Sequence, residues 1–338
     1  MEFVKDVLAG KRLALARLLT HIENGTPEGR AALDALFPHT GRAHLIGVTG
    51  APGTGKSSLV NQLARFYRQP ENGTAPHKVA IVAIDPSSPF TGGAVLGDRI
   101  RMRDLAGDPG VFIRSMASRG ALGGIAAATA GVVQAFDAAG YEIILIETVG
   151  AGQSEVDIAG LAHTTLVVEA PGLGDDIQAI KAGILEIADI LVVNKADRPG
   201  VENTERALKN MLQLAHPVAH IFRHHGQVMQ TQAASTPPPD DLWLPPLQRT
   251  VAVEGVGIAE LAAHIARHRT HLETSGGWLQ RERVRLQSEL DALLQATLVA
   301  RWRESIAETT YAHTVDELVA RRISPHRAVA RLLSPGNP

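Results

Sequence analysis

The residues best suited to chemistry lie in a glycine-rich stretch, GAPGTGKSS, that begins at Gly50. It follows the apolar run HLIGVT and precedes SSLVNQLARFY, whose apolar residues have helical spacing. A strand, loop and helix of this kind bind nucleotide phosphates, because the glycines let backbone N–H groups turn inward. Lys56 is the expected catalytic cation and Ser57 the expected magnesium ligand. A chance glycine-rich turn is the alternative, which the flanking strand and helix disfavour. The predicted phosphate-binding residues are Gly50, Ala51, Pro52, Gly53, Thr54, Gly55, Lys56, Ser57 and Ser58.

A second motif, NKAD, directly follows the apolar run DILVV, at the end of a strand where open α/β sheets bind ligands. The Asp197 carboxylate can accept two hydrogen bonds from guanine, whose donor pair adenine lacks. Lys195 is expected to pack along the base, and Asn194 to brace neighbouring loops. Taken alone, this tetrapeptide also fits a solvated turn, but its position after the phosphate-binding loop favours guanine. Later in the chain, Val251 and Ala252 are expected to present the Ala252 N–H to guanine O6.

Carboxylates also follow two other predicted strands. KVAIVAID ends in Asp85, and Asp98 follows the glycine-bearing loop PSSPFTGGAVLG. EIILIET contains Glu147 and is followed by Gly150, as in GTPases that carry an acidic residue near magnesium and a glycine that senses the γ-phosphate. Glu147 is therefore a catalytic candidate as well as a metal ligand. Capping is the alternative for both aspartates, and a structural role is the alternative for the glutamate. The predicted metal ligands are Ser57, Asp85, Asp98 and Glu147.

These motifs need a sheet that brings strand ends together, and the chain has the pattern of one. From Arg42 onward, short apolar runs alternate with helical stretches, which is typical of an α/β fold whose sheet is covered on both faces. The runs are HLIGVTG, KVAIVAID, VFIRS, EIILIET, TTLVVEA and DILVVNK. The segment that contains TPPPDDLWLPP is a loop by composition, placed before the last strand. We therefore predict a P-loop GTPase domain with a mostly parallel sheet over residues 42–270.

Helical regions flank this domain. Apolar residues at three- to four-residue spacing from Leu15 predict one N-terminal helix, and Thr26 followed by Pro27 predicts the start of a second. These helices form a predicted region over residues 1–41. Residues 271–338 are predicted to be a helical arm with an apolar stripe among arginines and glutamates. The stripe consists of Trp278, Leu286, Leu290, Leu293, Leu294 and Leu298.

Composition argues against several other classes of protein. The net charge is -2, from 33 basic and 35 acidic side chains, so no general attraction to nucleic acid or to an anionic membrane is expected. The chain has no cysteine, which excludes disulfides and thiolate ligands and fits a reducing compartment. No run approaches the ~20 apolar residues of a membrane-spanning helix, and the N-terminus lacks a cleavable signal. A soluble, cytoplasmic protein is therefore expected.

Together, these motifs resemble the MeaB/ArgK family of P-loop GTPases. The resemblance covers about residues 5–305 and rests on GAPGTGKSS, IDPSSPFTGGAVLGDRIRM, ETVGAGQSE, NKAD and TVAVEGVGI. The block from Asp85 to Met102 is more specific than any nucleotide-binding motif. The resemblance implies a metallochaperone that hydrolyses GTP with magnesium, gates the delivery of adenosylcobalamin to a cobalamin-dependent acyl-CoA mutase and protects that enzyme. It also implies a homodimer formed through the C-terminal arm, with no tightly bound cobalamin on this chain.

The resemblance also assigns roles to individual residues. Asp85 and Asp98 match the acidic residues of the family's first switch, and Glu147 matches the acidic residue that opens the second. The stretch GLGDDIQAIKAG matches its third switch, in which Gln178 and Lys181 match residues linked to mutase-stimulated hydrolysis. Both are therefore predicted catalytic residues. From the residues alone, the same stretch also fits the solvated start of a helix.

The chain departs from the family pattern over residues 216–230, HPVAHIFRHHGQVMQ. No partner ligands stand near His224 and His225 in the sequence, so an exposed loop is expected there rather than a metal site. Other functions considered are a kinase for transport proteins, a GTPase that inserts nickel or zinc, and a structural dimer without hydrolysis. The lack of cysteines argues against metal insertion. Methylmalonyl-, isobutyryl-, ethylmalonyl- and 2-hydroxyisobutyryl-CoA mutases are all compatible clients.

Overall fold

A computed structural model describes residues 2–69, 75–86, 102, 104–105, 107–118, 124–148, 158–172, 186–215, 221–224, 227–230 and 242–334. The strands are β1 (His44–Thr49), β2 (Val79–Pro86), β3 (Val111–Ser118), β4 (Ile143–Thr148), β5 (Thr164–Glu169), β6 (Ile190–Val193), β7 (Ile221–His224), β8 (Gln227–Gln230) and β9 (Leu247–Arg249). Seven of them form a sheet in the order β3-β2-β4-β1-β5-β6-β9. Every strand pair in this sheet is parallel, which confirms the predicted fold class.

Each apolar run predicted to be a strand forms one, because the sheet is buried on both faces. Every residue of β1 and β4 is buried. Alternate side chains belong to different cores: Leu45 and Ile144 lie on one face, and Ile46 and Leu145 on the other. The strand β9 follows the proline-rich stretch TPPPDDLWLPP in the chain, as predicted. This burial explains why the runs are continuously apolar rather than alternating.

The described part of the chain also forms ten α-helices. They are α1 (Glu2–Leu8), α2 (Arg12–Glu23), α3 (Pro27–Leu36), α4 (Lys56–Arg68), α5 (Gly124–Ala138), α6 (Val201–Ala215), α7 (Ile258–Ser275), α8 (Gly277–Ser305), α9 (Glu308–Val319) and α10 (Pro325–Leu333). The predicted cap of α3 is confirmed, since the Thr26 side chain accepts a hydrogen bond from Gly29 N at 3.1 Å. Helices α1, α2, α3 and α5 contribute to one core, and α4 and α7 to the other. Across the part of the chain described here, no helix has the length and apolar composition that a membrane span requires.

Residues 216–230 differ from the prediction. The strands β7 and β8 form an antiparallel pair in which His224 lies opposite Gln227. The prediction of an exposed loop is therefore wrong for the residues of β7 and β8, which include His224. His225 lies outside the described residues. The sequence does carry a signal for a hairpin. Strand-forming residues such as Ile221 and Val228 lie on either side of a His-Gly pair, which suits a tight turn.

The chain divides into two compact units, residues 1–288 and 289–338. In the second unit, Trp302 Nε1 donates to Leu332 O at 3.1 Å, and Arg331 donates to Glu317 at 2.6 Å. These bonds connect the end of α8, α9 and α10. The division into residues 1–41, 42–270 and 271–338 stays a prediction.

In the first unit, two partly buried contacts attach the beginning of α8 to the amino ends of the strands. Arg281 donates to both carboxylate oxygens of Asp189, at 2.7 and 2.6 Å. His163 Nε2 lies 2.7 Å from Glu282 Oε1. His163 Nδ1 accepts a hydrogen bond from Leu45 N at 3.1 Å, which places the imidazole proton on Nε2. These contacts fix how the first turns of α8 pack on the sheet.

Burial controls the ionisation of this cluster. It lowers the pKa of His44, and the nearby His163 lowers that pKa further. Burial also lowers the pKa of His163, although Glu282 partly offsets the effect. Burial raises the pKa of Glu282, but hydrogen bonds from His163 and Arg285 outweigh it and bring this pKa to about 2. At neutral pH the two histidines are therefore uncharged and the glutamate is charged.

Acidification should destabilise this unit. Because the pKa values of His44 and His163 are lowered in the folded chain, the unfolded chain binds more protons once the pH falls below about 6.5. We expect the free energy of unfolding to fall by up to about 1.4 kcal/mol per pH unit for each histidine below this value. Urea unfolding at pH 7.5 and 5.5 measures the slope. His44→Gln should reduce it, with the same change at the exposed His39 as the control, and an unaltered slope in His44→Gln would contradict the assignment.

Candidate nucleotide site

The predicted P-loop connects β1 to α4 at the carboxyl end of the sheet. Gly50 has φ 138° and Gly55 has φ 93°, in the region that favours glycine. A Cβ atom on Gly50 would lie 2.1 Å from Val168 O, and one on Gly55 would lie 2.4 Å from Asn194 Nδ2. Only glycine therefore permits this path. Because α4 begins at Lys56, the loop ends at a helix N-terminus, which attracts anions.

The ammonium group of Lys56 lies within this loop. Its Nζ donates to Gly50 O at 2.8 Å and to Ala51 O at 3.0 Å. Thr54 Oγ1 also donates to Ala51 O, at 3.0 Å, which stabilises the turn. Pro52 and Gly53 form its exposed tip, and Ser58 lies partly buried in the first turn of α4. Phosphate oxygens are stronger acceptors than carbonyl groups, so this position suits Lys56 for a terminal phosphate.

Two predicted magnesium ligands, Ser57 and Glu147, lie in direct contact. Ser57 Oγ donates to Glu147 Oε1 at 2.6 Å, and both side chains are buried. Ser57 is in the first turn of α4, and Glu147 pairs in register with Val48 of β1 and Ala83 of β2. A hydroxyl and a carboxylate beside a phosphate-binding loop fit the preference of Mg²⁺ for oxygen ligands.

The other predicted residues of the switches are described only in part. Asp85 is near the end of β2, where its backbone pairs in register with Ala117 of β3. Its side chain is outside the described residues. Four further predicted site residues lie outside them entirely: Asp98, Gly150, Gln178 and Lys181.

Asn194 braces the neighbouring loops, as the sequence analysis expected. Its Nδ2 donates to Thr54 O at 2.8 Å, across to the P-loop. Its Oδ1 accepts hydrogen bonds from Thr250 Oγ1 and from Ala252 N, both at 3.1 Å. The side chain is buried, so these bonds satisfy both ends of the amide. The sequence assigned no role to the Thr250 hydroxyl; its position directly after the short strand β9 was the available signal for one.

The remaining residues of the predicted base site follow the same strand ends. Lys195 has φ 56°, and its Nζ donates to Gly53 O at 2.6 Å, so its side chain lies beside the P-loop. Asp197 is exposed beyond it. Val251 and Ala252 are buried, and the Ala252 N–H already has a protein acceptor in Asn194 Oδ1. A bond from Ala252 to guanine O6 would therefore have to share or replace this one.

Comparison with known proteins identifies relatives that match most of the chain. The family profile described as Methylmalonyl Co-A mutase-associated GTPase MeaB matches residues 15–307. A Pyrococcus abyssi protein named as a GTPase is 41% identical over 332 residues, which cover 98% of this chain and 95% of that protein. The GTPase ArgK of Escherichia coli is 35% identical over 300 residues, 88% of this chain and 83% of ArgK. A solved structure of a LAO/AO transport system kinase has a TM-score of 0.63 and 26% identity, over 98% of this chain and 95% of that one.

Proposed function

The chain belongs to the MeaB family of methylmalonyl Co-A mutase-associated GTPases, and we propose that its GTP hydrolysis gates adenosylcobalamin delivery to an acyl-CoA mutase. The protein is a GTPase, as its relatives are named. The observation that carries the chemical part of the proposal is the contact between Ser57 Oγ and Glu147 Oε1 beside the P-loop. The mutase part is supported by the family description.

In this proposal, Ser57 and Glu147 hold magnesium, directly or through water. A bound magnesium ion neutralises negative charge that develops on the phosphates during hydrolysis. Lys56 then leaves Gly50 O and Ala51 O and binds the terminal phosphate. Asp197 selects guanine. Asn194 holds the base-binding loop next to the P-loop through its hydrogen bond to Thr54 O. Asp85 and Asp98 are proposed to complete the metal site.

Product analysis with radiolabelled GTP tests the function. We expect steady release of phosphate and no labelled protein. We also expect Ser57→Ala to raise the magnesium concentration for half-maximal hydrolysis by about tenfold or more, because loss of one group near a metal typically costs that much affinity. Ser275→Ala, at the exposed end of α7, is the matched control. An unaltered magnesium titration in Ser57→Ala would show that the metal site is misplaced.

The same experiment tests the alternative of a transport-system kinase. That alternative is favoured by the name of the solved structure with 26% identity, which is a LAO/AO transport system kinase. A kinase needs a phosphoacceptor in trans. Transfer of the labelled phosphate to a protein would support it over the mutase chaperone.

We also propose that the protein is a homodimer formed through α8. The helix has no buried residue, and its leucines beyond Ser288 are exposed in the single chain. Their exposed fractions are 64% for Leu290, 47% for Leu293, 53% for Leu294 and 56% for Leu298. Burial of such a side chain contributes about 1.5–3 kcal/mol. We therefore expect these leucines to be covered by a second copy of the chain rather than left in water. Trp278 serves a different purpose, since its ring packs on His163 with centroids 3.9 Å apart.

A truncation after Ser288 should therefore be monomeric. This end point keeps Trp278, Arg281 and Glu282, whose contacts attach α8 to the sheet. Light scattering of the truncated and full-length chains gives their masses. Leu290→Lys combined with Leu294→Lys should also give a monomer, whereas the control Val319→Lys, at a residue 76% exposed, should not. A stable dimer of the truncated chain would show that the arm does not mediate dimerisation.

A further inference from the structure

The hydrogen bonds around Asn194 indicate how the base site responds to guanine. Ala252 N donates to Asn194 Oδ1, although the sequence assigns the same N–H to guanine O6. We propose that this N–H transfers from Asn194 Oδ1 to guanine O6 when the nucleotide binds, and that the Thr250 hydroxyl makes the transfer possible by keeping Asn194 Oδ1 hydrogen-bonded. Thr250 is then a positioning residue for guanine specificity. The inference rests on the proposed binding of guanine nucleotides.

The side-chain amide of Asn194 is held in one orientation. Its Nδ2 donates to Thr54 O at 2.8 Å, and a carbonyl oxygen can only accept. The nitrogen must therefore face the P-loop, and Oδ1 must face the opposite way. Asn194 is 2% exposed, so its oxygen depends on donors from the protein.

Two donors satisfy this oxygen. Thr250 Oγ1 and Ala252 N both lie 3.1 Å from Asn194 Oδ1. An amide oxygen has two lone pairs, so it can accept both bonds at once. If one donor leaves, the other still satisfies the oxygen. If the only donor leaves, the buried oxygen loses its bond and bears the full cost of desolvation. The Thr250 hydroxyl therefore lowers the cost of moving the Ala252 N–H to a ligand.

Thr250 is held in place on both sides of its backbone. Its N–H donates to Val193 O at 2.9 Å, and its carbonyl accepts from Ala196 N at 3.0 Å. The residue is 1% exposed. These bonds fix Thr250 between the end of β6 and the NKAD loop, so its hydroxyl stays beside Asn194 when the ligand changes the partner of Ala252.

A single atom of the ligand isolates the proposed bond. In 6-thio-GDP a sulfur replaces guanine O6, whereas the two donors that Asp197 is proposed to bind remain. Sulfur is a weaker acceptor than a carbonyl oxygen, so Ala252 gains little by leaving Asn194. The preference for GDP over 6-thio-GDP therefore measures the transfer separately from the contribution of Asp197.

Thr250→Val tests the role of the hydroxyl, because valine has nearly the same shape and no donor. In this variant the transfer would leave Asn194 Oδ1 without a donor, so we expect GDP to bind about tenfold more weakly. Affinity for 6-thio-GDP should change by less than about twofold, since the N–H then stays on Asn194. The preference for GDP should fall accordingly in calorimetric titrations, whereas a general disturbance of the base site would weaken both ligands equally.

Two further variants serve as controls for this experiment. Thr250→Ser keeps the hydroxyl and should retain the native preference for GDP over 6-thio-GDP. Thr165→Val removes a hydroxyl that is also buried but has no hydrogen-bond partner among the described residues, so it should leave both affinities unaltered.

The native protein allows a second measurement, which decides the question if Thr250→Val does not fold. The chemical shift of an amide proton reports its acceptor, so the Ala252 N–H should have different shifts in the complexes with GDP and with 6-thio-GDP. The Asn194 Nδ2 protons should have the same shifts in both, because their bond to Thr54 O persists. Identical Ala252 shifts in the two complexes would overturn the inference.

The outcomes distinguish this inference from the proposed function. If the native protein bound ADP as tightly as GDP, the proposed guanine site would fail, and the inference with it. If the native protein preferred guanine while folded Thr250→Val kept the native ratio of GDP to 6-thio-GDP affinity, only the role of Thr250 would be rejected.

Discussion

Asp197→Asn should change the preferred nucleotide from guanine to xanthine. The carboxylate accepts hydrogen bonds from two guanine donors, whereas an amide presents a donor to the carbonyl group that xanthine has in place of the amine. A hydrogen bond to a charged group contributes about 1.5–3 kcal/mol, so the loss of this pair should weaken GDP binding about 100-fold or more. Asp197 is exposed, so the substitution should leave the fold intact.

Calorimetric titration of GDP, XDP and ADP into the native and variant proteins measures this change. Asp34→Asn, at an exposed residue of α3, is the matched control and should leave all affinities unaltered. The native protein should bind GDP far more tightly than ADP. Equal affinity of the native protein for guanine and adenine nucleotides would reject the role of NKAD in base selection.

The sheet could be predicted because its strands are buried on both faces. Runs such as the one from Ile143 to Thr148 are apolar throughout, and the burial of every residue in that strand explains this directly. The helix cap at Thr26 could also be predicted, because it depends only on residues close together in the chain. The Thr26 side chain accepts a hydrogen bond from the N–H of a residue three positions later. The hairpin of β7 and β8 was missed because its short strands lie in a segment otherwise rich in polar residues.

The sequence indicated which residues would meet where their type and position suit one chemical purpose. The contact between Ser57 and Glu147 joins residues far apart in the chain, yet each was identified from its position at the end of a strand or the start of a helix. The partner of the Ala252 N–H was not predictable in this way. The Ala252 N–H binds the Asn194 side chain because two loops pack together. The spacing of residues along the sequence does not reveal that packing.

Spacing along a helix also fails to identify the partner of an apolar residue. Trp278 and Leu290 belong to the same predicted stripe of α8. Trp278 packs on His163, whereas Leu290 is 64% exposed in the single chain. Periodicity shows which face of the helix is apolar. It does not show which other part of the protein, if any, packs against each residue on that face. The space that Gly47 leaves for Ile158 is a similar case, because a glycine inside a strand does not show which side chain needs the room.

The largest effect should come from Lys181→Ala in the presence of a cobalamin-dependent acyl-CoA mutase. GTPases that are slow alone can be completed by a partner that places a cationic or water-orienting group on the transferred phosphate, which contributes about 10³-fold or more. Lys181 and Gln178 are the residues that the MeaB/ArgK resemblance assigns to this coupling. If the mutase brings them to the nucleotide, Lys181→Ala should leave basal hydrolysis nearly unchanged and remove most of the stimulation.

Turnover with and without the mutase, for native and variant proteins, measures this loss separately from the P-loop chemistry. Lys11→Ala, at a residue whose side chain is 63% exposed, controls for the removal of one positive charge. GDP affinity should be the same in all three proteins, because the P-loop and NKAD residues are intact. Full stimulation of Lys181→Ala would exclude this lysine from the mechanism. If neither methylmalonyl-CoA mutase nor the isobutyryl-, ethylmalonyl- and 2-hydroxyisobutyryl-CoA mutases stimulate the native protein, the proposed chaperone function itself is contradicted, while the magnesium and guanine predictions stand on their own evidence.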